Sequence, residues 1–182
     1  HKIYGPTGVG VIRLSQELTQ ILPPFFVGGG MIDTVEYHQA TFTDPPSKFE
    51  AGTLPIAQII GLQKALEWIS SQDLDMIREE EISLAKQTRH VLKEQLPGVE
   101  FLTEDPQSTI VTFWHPEIPT FDLIRVLAEE HIALRGGHHC VQPYHHKINQ
   151  KGTTRISLGA YNSSEDIEKL EQALNTINKI FL

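Results

Sequence analysis

The chain has 182 residues, 40% of them hydrophobic and 21% charged, with one cysteine and a formal net charge of −8. That length supports one full hydrophobic core or a large piece of a bigger fold, and the composition is that of a globular chain without disorder bias. The acidic balance argues against nucleic acid or anionic membrane as the main partner, the single cysteine rules out an internal disulfide, and no apolar run reaches membrane-spanning length; a cytoplasmic setting is the expectation.

The chain opens on "HKIYGPTGVG", with neither an initiator Met nor a basic-then-apolar leader. "GVGVIRL" (8–14) reads as a short buried strand bounded by glycine, which places Lys2 in the turn or strand end before it. Residues 23–55 hold five prolines, four of them in pairs, and a triple glycine, so a long irregular loop of functional or partner-facing character is expected. Ile59, Leu62, Leu66 and Ile69 then recur at helical spacing. A second helix is predicted from an Asp73 N-cap to the Pro97-Gly98 stop, with Ile77, Leu84 and Val91 on one face and Glu79, Glu80 and Glu81 in solvent. Together the two are expected to form an αα unit.

Strands are predicted at 99–102 and 109–114, a helix near 120–130 carrying Phe121, Ile124 and Leu127, and further strands at 132–135 and 153–158. A last helix, capped by Ser163, aligns Ile167, Leu170, Leu174, Ile177 and Phe181 in an apolar stripe. From residue 99 onward the order is strand, strand, helix, strand, strand, helix, an α/β layer able to close around its own sheet. Before residue 60 there are too few partners to bury one strand and a loop, so that segment reads as the edge of a domain.

The densest polar cluster is "LRGGHHCVQPYHH" (134–146), with one Arg, four His and the only Cys. Three readings of Cys140 stand side by side. A thiol on a glycine loop beside Arg and imidazoles suits a nucleophile; a lone cysteine also suits a small buried apolar position; and His139, Cys140, His145 and His146 contain zinc-type ligands, though at none of the usual spacings. Lys2 is either a solvated charge or an amine poised to form a Schiff base, since Gly5, Gly8 and Gly10 allow close approach of a bound group.

Taken in order, "HKIYGPTGVGV", "GGGMI", "FEAGT", "LRGGHHC" and "TTRISLGAYNS" resemble five motifs of the group II cysteine desulfurases and the related selenocysteine lyases. These are enzymes of fold-type I that depend on pyridoxal 5'-phosphate (PLP). In that family the His-Lys dipeptide lies mid-chain, so the resemblance implies a C-terminal half of an α/β transferase fold. Residues 1–72 would complete the large PLP-binding domain, and 73–182 would form the small α/β domain with a connecting helix.

The resemblance further implies residue roles. Lys2 matches the lysine that forms an aldimine with PLP, His1 the neighbour that contacts the cofactor phosphate, and Thr53 the residue that reaches the phosphate of the neighbouring subunit. Arg155 matches the arginine for the substrate carboxylate, its alternative being a surface ion pair. Cys140 matches the nucleophile that takes the substrate sulfur as a persulfide, with Arg135, His138 and His139 around it. Implied with these are L-cysteine or L-selenocysteine as substrate, L-alanine as product, a sulfur-acceptor protein, a homodimer and a place in iron–sulfur cluster assembly. Leu54 and Pro55 depart from the Pro-Asn that usually follows "AGT", and Val141 replaces the usual Ala. The ring-stacking His and the pyridine-nitrogen Asp would precede residue 1, which implies that this chain alone is inactive. Another class V lyase, or a non-catalytic dimerisation or docking domain, are the alternatives.

Overall fold

The computed structural model describes residues 2–103, 105 and 107–182. By its internal contacts the chain divides into two compact units, one ending at Gln72 and the other running Asp73–Leu182. The two helices expected to pair as an αα unit therefore fall in different units.

The first unit contains α1 (Gln16–Ile21), a hairpin of β1 (Ile32–Val35) and β2 (Ala40–Phe42), a single 3-10 turn (Ser47–Phe49) and α2 (Ile56–Ser70). Two sequence expectations are corrected here. Residues 8–14 are not a strand: among the described residues nothing pairs with them, and Val11 and Ile12 are 79% and 83% exposed. An apolar run becomes a strand only where a neighbour completes its hydrogen-bond ladder. Residues 23–55, expected to be irregular throughout, contain the antiparallel hairpin, whose strands are joined by the Thr34 and Thr41 hydroxyls at 2.6 Å. The unplaced helix α1 begins at Ser15, whose hydroxyl accepts from the Leu18 amide as an N-cap should. α2 appears where its periodicity predicts it, yet none of its residues is fully buried.

The second unit has a true core. Its elements are α3 (Leu74–Gln95), β3 (Glu100–Phe101), β4 (Ile110–Trp114), α4 (Thr120–Glu129), β5 (Arg135–Gly137), α5 (Gln142–Lys147), β6 (Thr153–Ser157) and α6 (Ser164–Phe181). Asp73 caps α3 by accepting from the Met76 amide, and Ser163 with Asp166 makes a capping box at α6. The buried face of α3 runs through Ile82, Leu84, Ala85, Thr88, Arg89 and Leu92; Ile77 and Val91 lie at its half-buried margins. Glu79 and Glu80 are exposed as expected, but Glu81 is half-buried, and that burial raises its pKa against the opposing pull of Arg78.

Strand order is β3-β4-β6-β5, with every neighbour antiparallel. Register pairs Val111 with Ile156 and Phe113 with Thr154, so these side chains share one face. There they meet Leu92, Leu96, Leu123, Leu127, Leu170, Leu174 and Ile177 from α3, α4, α6 and the residue after α3. Arg155, Thr153, Thr112 and Arg135 alternate onto the opposite face.

The strand expected at 132–135 begins three residues later. Ile132 instead donates to the Leu127 carbonyl, and His131 turns through φ 63°, which closes α4. The strand that does form, Arg-Gly-Gly, carries no apolar pattern. Its Gly136 is needed for packing: a Cβ there would lie 1.9 Å from Ile124 Cδ1 and 3.0 Å from Thr120 Cγ2, both on α4.

Candidate functional site

The sheet face opposite the helical layer carries the polar cluster, because the chain crosses it between β5 and β6. After Gly137 (φ 109°) the backbone turns through His139 (φ 49°) and Cys140 (φ 65°), and the Val141 amide donates to the His138 carbonyl at 2.8 Å. Consecutive non-glycine residues in the left-handed region are unfavourable by roughly 1–2 kcal/mol each, so this turn depends on ties to its surroundings. Helix α5 follows at once, with Pro143 in its first turn, where a missing N–H is harmless.

Cys140 is exposed, which removes its reading as a small buried residue. Arg135 Nη2 donates toward its Sγ at 3.9 Å. Across the β5–β6 ladder Arg135 pairs with Arg155, which is half-buried and whose Nε is buried without a partner. Among the described residues no carboxylate lies within ion-pair distance of Arg155, so its alternative reading as a surface ion pair finds no support there. Two guanidiniums on one face, one with an unspent buried N–H, form a site for an anionic group such as a carboxylate.

The imidazoles divide by role. His139 Nε2–H donates to the Thr153 carbonyl at 3.0 Å, and its Nδ1 is buried without a partner. Burial first, then the charges of Arg155 and Arg135, hold its pKa below the ordinary value, against the opposing bond to Thr153. His138 stands edge-on to His145 at a ring separation of 5.4 Å. His145 is fully buried, 3.3 Å from the Val141 carbonyl through Nδ1 and 3.2 Å from the Thr153 hydroxyl through Nε2. Considered from sequence only as a zinc ligand, it has both nitrogens occupied by protein groups. Among the described residues no three His, Cys, Asp or Glu side chains converge on a metal position. Thr153 and the packing role of His145 were not foreseen; Pro143 at a helix start was the legible sign of α5, whereas no sequence signal marks His145 as its inward residue.

In the first unit Lys2 is exposed, in a turn fastened to α2 by the edge-on contact of Tyr4 with Trp68 at 5.3 Å and by Gly5, where a Cβ would meet Leu62 Cδ1 at 2.8 Å. Thr53 is exposed just after Gly52 (φ 82°), whose amide donates to the Gly29 carbonyl at 2.8 Å. A Cβ at Gly29, Gly30 or Gly52 would meet nothing within 4 Å, so open space adjoins Thr53. Taken separately, the exposed Lys2 amine and the Thr53 hydroxyl beside open space are groups of the kind that an aldehyde-bearing phosphate cofactor uses. His1 lies outside the described residues.

The architecture recurs in known proteins. The E. coli cysteine desulfurase CsdA (S-sulfonic acid form) superposes with a TM-score of 0.92 at 34% identity, over 100% of this chain and 45% of that one. A C-DES variant with glycine covalently linked to its PLP cofactor superposes at 0.73 with 23% identity, over 94% of this chain and 43% of that one, a likeness of fold alone. The fold is thus that of the PLP-dependent fold-type I enzymes.

Sequence comparison narrows this. The aminotransferase class-V family matches residues 1–170. A probable cysteine desulfurase of Pasteurella multocida is 39% identical over 175 residues, 96% of this chain and 41% of its own length. The chain belongs to the class-V aminotransferase family, a PLP-dependent one, and spans less than half the length of the relatives it matches.

Proposed function

We propose that this chain contributes the nucleophile, the carboxylate site and the cofactor lysine of a cysteine desulfurase, which converts L-cysteine to L-alanine and transfers the sulfur through Cys140 to an acceptor protein. One observation carries the reading: an exposed thiol on a left-handed turn, with Arg135 at 3.9 Å and Arg155 opposite Arg135 on the same sheet face. Relatives named probable cysteine desulfurases and the similarity to CsdA support it.

Lys2 would hold PLP and move a proton at the substrate Cα, and the Thr53 hydroxyl would meet the phosphate of a cofactor in a second subunit of a homodimer, with His1 at the phosphate beside Lys2. When bound, PLP supplies the electron sink for bond changes at the amino acid. Arg155 receives the substrate carboxylate in bidentate fashion and so orients the side chain of the amino acid. The Cys140 thiolate attacks the substrate sulfur: the new S–S bond forms as the substrate Cβ–S bond breaks, its electron pair stays with Cβ, and a proton completes the methyl group of alanine. Cys140 is left as a persulfide. L-selenocysteine fits the same site, and its selenium leaves more readily; iron–sulfur cluster assembly in the cytoplasm is the setting we assign.

The test is a pair of variants in the complete holoenzyme. Lys2→Ala is expected to abolish the visible absorbance of bound PLP together with alanine production. Cys140→Ala is expected to keep that absorbance and lose production of alanine from L-cysteine. Full L-cysteine turnover by Cys140→Ala would refute the proposal.

A further inference from the structure

We propose that His145 is a positioning residue for Cys140, tying the turn that carries the thiol to Thr153 on the strand of Arg155. The inference rests on the desulfurase reading for its effect on turnover, and on geometry alone for its effect on the turn.

The Val141 carbonyl can only accept, so the contact at 3.3 Å assigns the ring proton to His145 Nδ1. The Tyr144 and His145 amides share the same oxygen at 3.0 and 3.3 Å, so the ring N–H is one of three donors gathered on it. In the neutral ring Nε2 is then an acceptor, and it takes the hydroxyl proton of Thr153 at 3.2 Å. Thr153 is 0% exposed and its carbonyl accepts from His139 Nε2 at 3.0 Å. The residues on both sides of Cys140 therefore lead to one residue: His139 directly, Val141 through His145.

Thr153 lies opposite Gly137 and two residues from Arg155 on β6. The left-handed torsions at His139 and Cys140 do not hold this turn by themselves. With both flanks tied to Thr153, Sγ is kept at Arg135 and on the face of Arg155. Filling space does not require an imidazole there, since an apolar side chain would do so without leaving polar atoms to satisfy. The ring is 1% exposed with both nitrogens engaged, the pattern of a group retained for its hydrogen bonds.

Four variants of the complete holoenzyme test this: His145→Leu, His145→Asn, Thr153→Val and the Leu/Val double variant. The readouts are the rate of Cys140 alkylation by iodoacetamide, steady-state kinetics with L-cysteine, PLP absorbance and melting temperature. His145→Leu and Thr153→Val should each change the alkylation rate and lower kcat by about tenfold, with KM and PLP absorbance retained, because a displaced nucleophile loses alignment rather than substrate binding. The double variant should be no worse than either single one, since both cut the same tie. His145→Asn keeps a donor where Nδ1 stands but leaves the Thr153 hydroxyl without its acceptor, so its alkylation rate should fall within about twofold of that of Thr153→Val. Wild-type alkylation and kcat in His145→Leu, or additive losses in the double variant, would overturn the proposal. Thr153→Val preserves shape and strand preference, so it decides the matter where His145→Leu folds poorly. If Cys140→Ala retains full turnover, the desulfurase reading fails, and the alkylation rates still decide the role of His145.

Discussion

Arg135 and Arg155 face each other across the β5–β6 ladder, on the side of the sheet away from the hydrophobic core. Like charges directly opposite one another destabilise an antiparallel pair, by roughly 0.2–1 kcal/mol on the scale of cross-strand pairs, and Arg155 also keeps a buried Nε without a partner. An anion placed between them, the role proposed here for the substrate carboxylate, would offset that cost. Arg155→Met should therefore leave the melting temperature of the ligand-free protein unchanged or raised. In steady-state kinetics it should raise KM for L-cysteine by about ten- to a hundredfold, the worth of a charge-assisted hydrogen bond. An unchanged KM would remove the carboxylate from this position.

The His139 imidazole is held below its ordinary pKa, chiefly by burial and then by the two arginines. Between its folded value and the unfolded value of about 6.5 the unfolded chain binds more protons, so stability rises with pH across that interval and levels off above it. Urea melts from acid to neutral pH should show this loss on acidification. His139→Gln, which retains a donor for the Thr153 carbonyl, should flatten the slope.

Gly137 holds φ 109°, a region open almost only to glycine, and a Cβ on Gly152 would lie 3.3 Å from its Cα. Gly137→Ala should cost about 1–3 kcal/mol of stability and change Cys140 alkylation, since the strain falls three residues before the thiol. Chemical denaturation and iodoacetamide kinetics on the same preparation check both effects.

The sequence is legible where side-chain pattern decides structure. β4, β6, α3 and α6 follow from alternation, helical spacing and the caps Asp73 and Ser163. It is silent where backbone and neighbours decide: β5 is a strand because β6 pairs with it, while 8–14 has apolar residues and no described partner. The site shows the same division. Cys140, Arg135, His139 and Arg155 stand out by residue type and motif, whereas Thr153 looks like any strand threonine until the turn folds onto it.

The two units differ in how they bury apolar surface. Among the described residues before Asp73 only Met31 is a fully buried apolar side chain, while Phe25, Phe26, Val11 and Ile12 are largely exposed. The fragment Asp73–Leu182 is expected to unfold cooperatively by itself and to bind little of an apolar dye such as ANS, and the 182-residue chain to bind much more. Equal dye binding by the two would contradict this.

The central claim, that Cys140 accepts the substrate sulfur, is tested most directly by mass spectrometry of the holoenzyme after a brief exposure to L-cysteine and digestion with trypsin. Cleavage after Arg135 and Lys147 isolates peptide 136–147, which holds the only cysteine. The account predicts that this peptide gains the mass of one sulfur atom and loses it on treatment with dithiothreitol. An unmodified peptide from an enzyme that is turning over, under conditions that preserve persulfides, would contradict it.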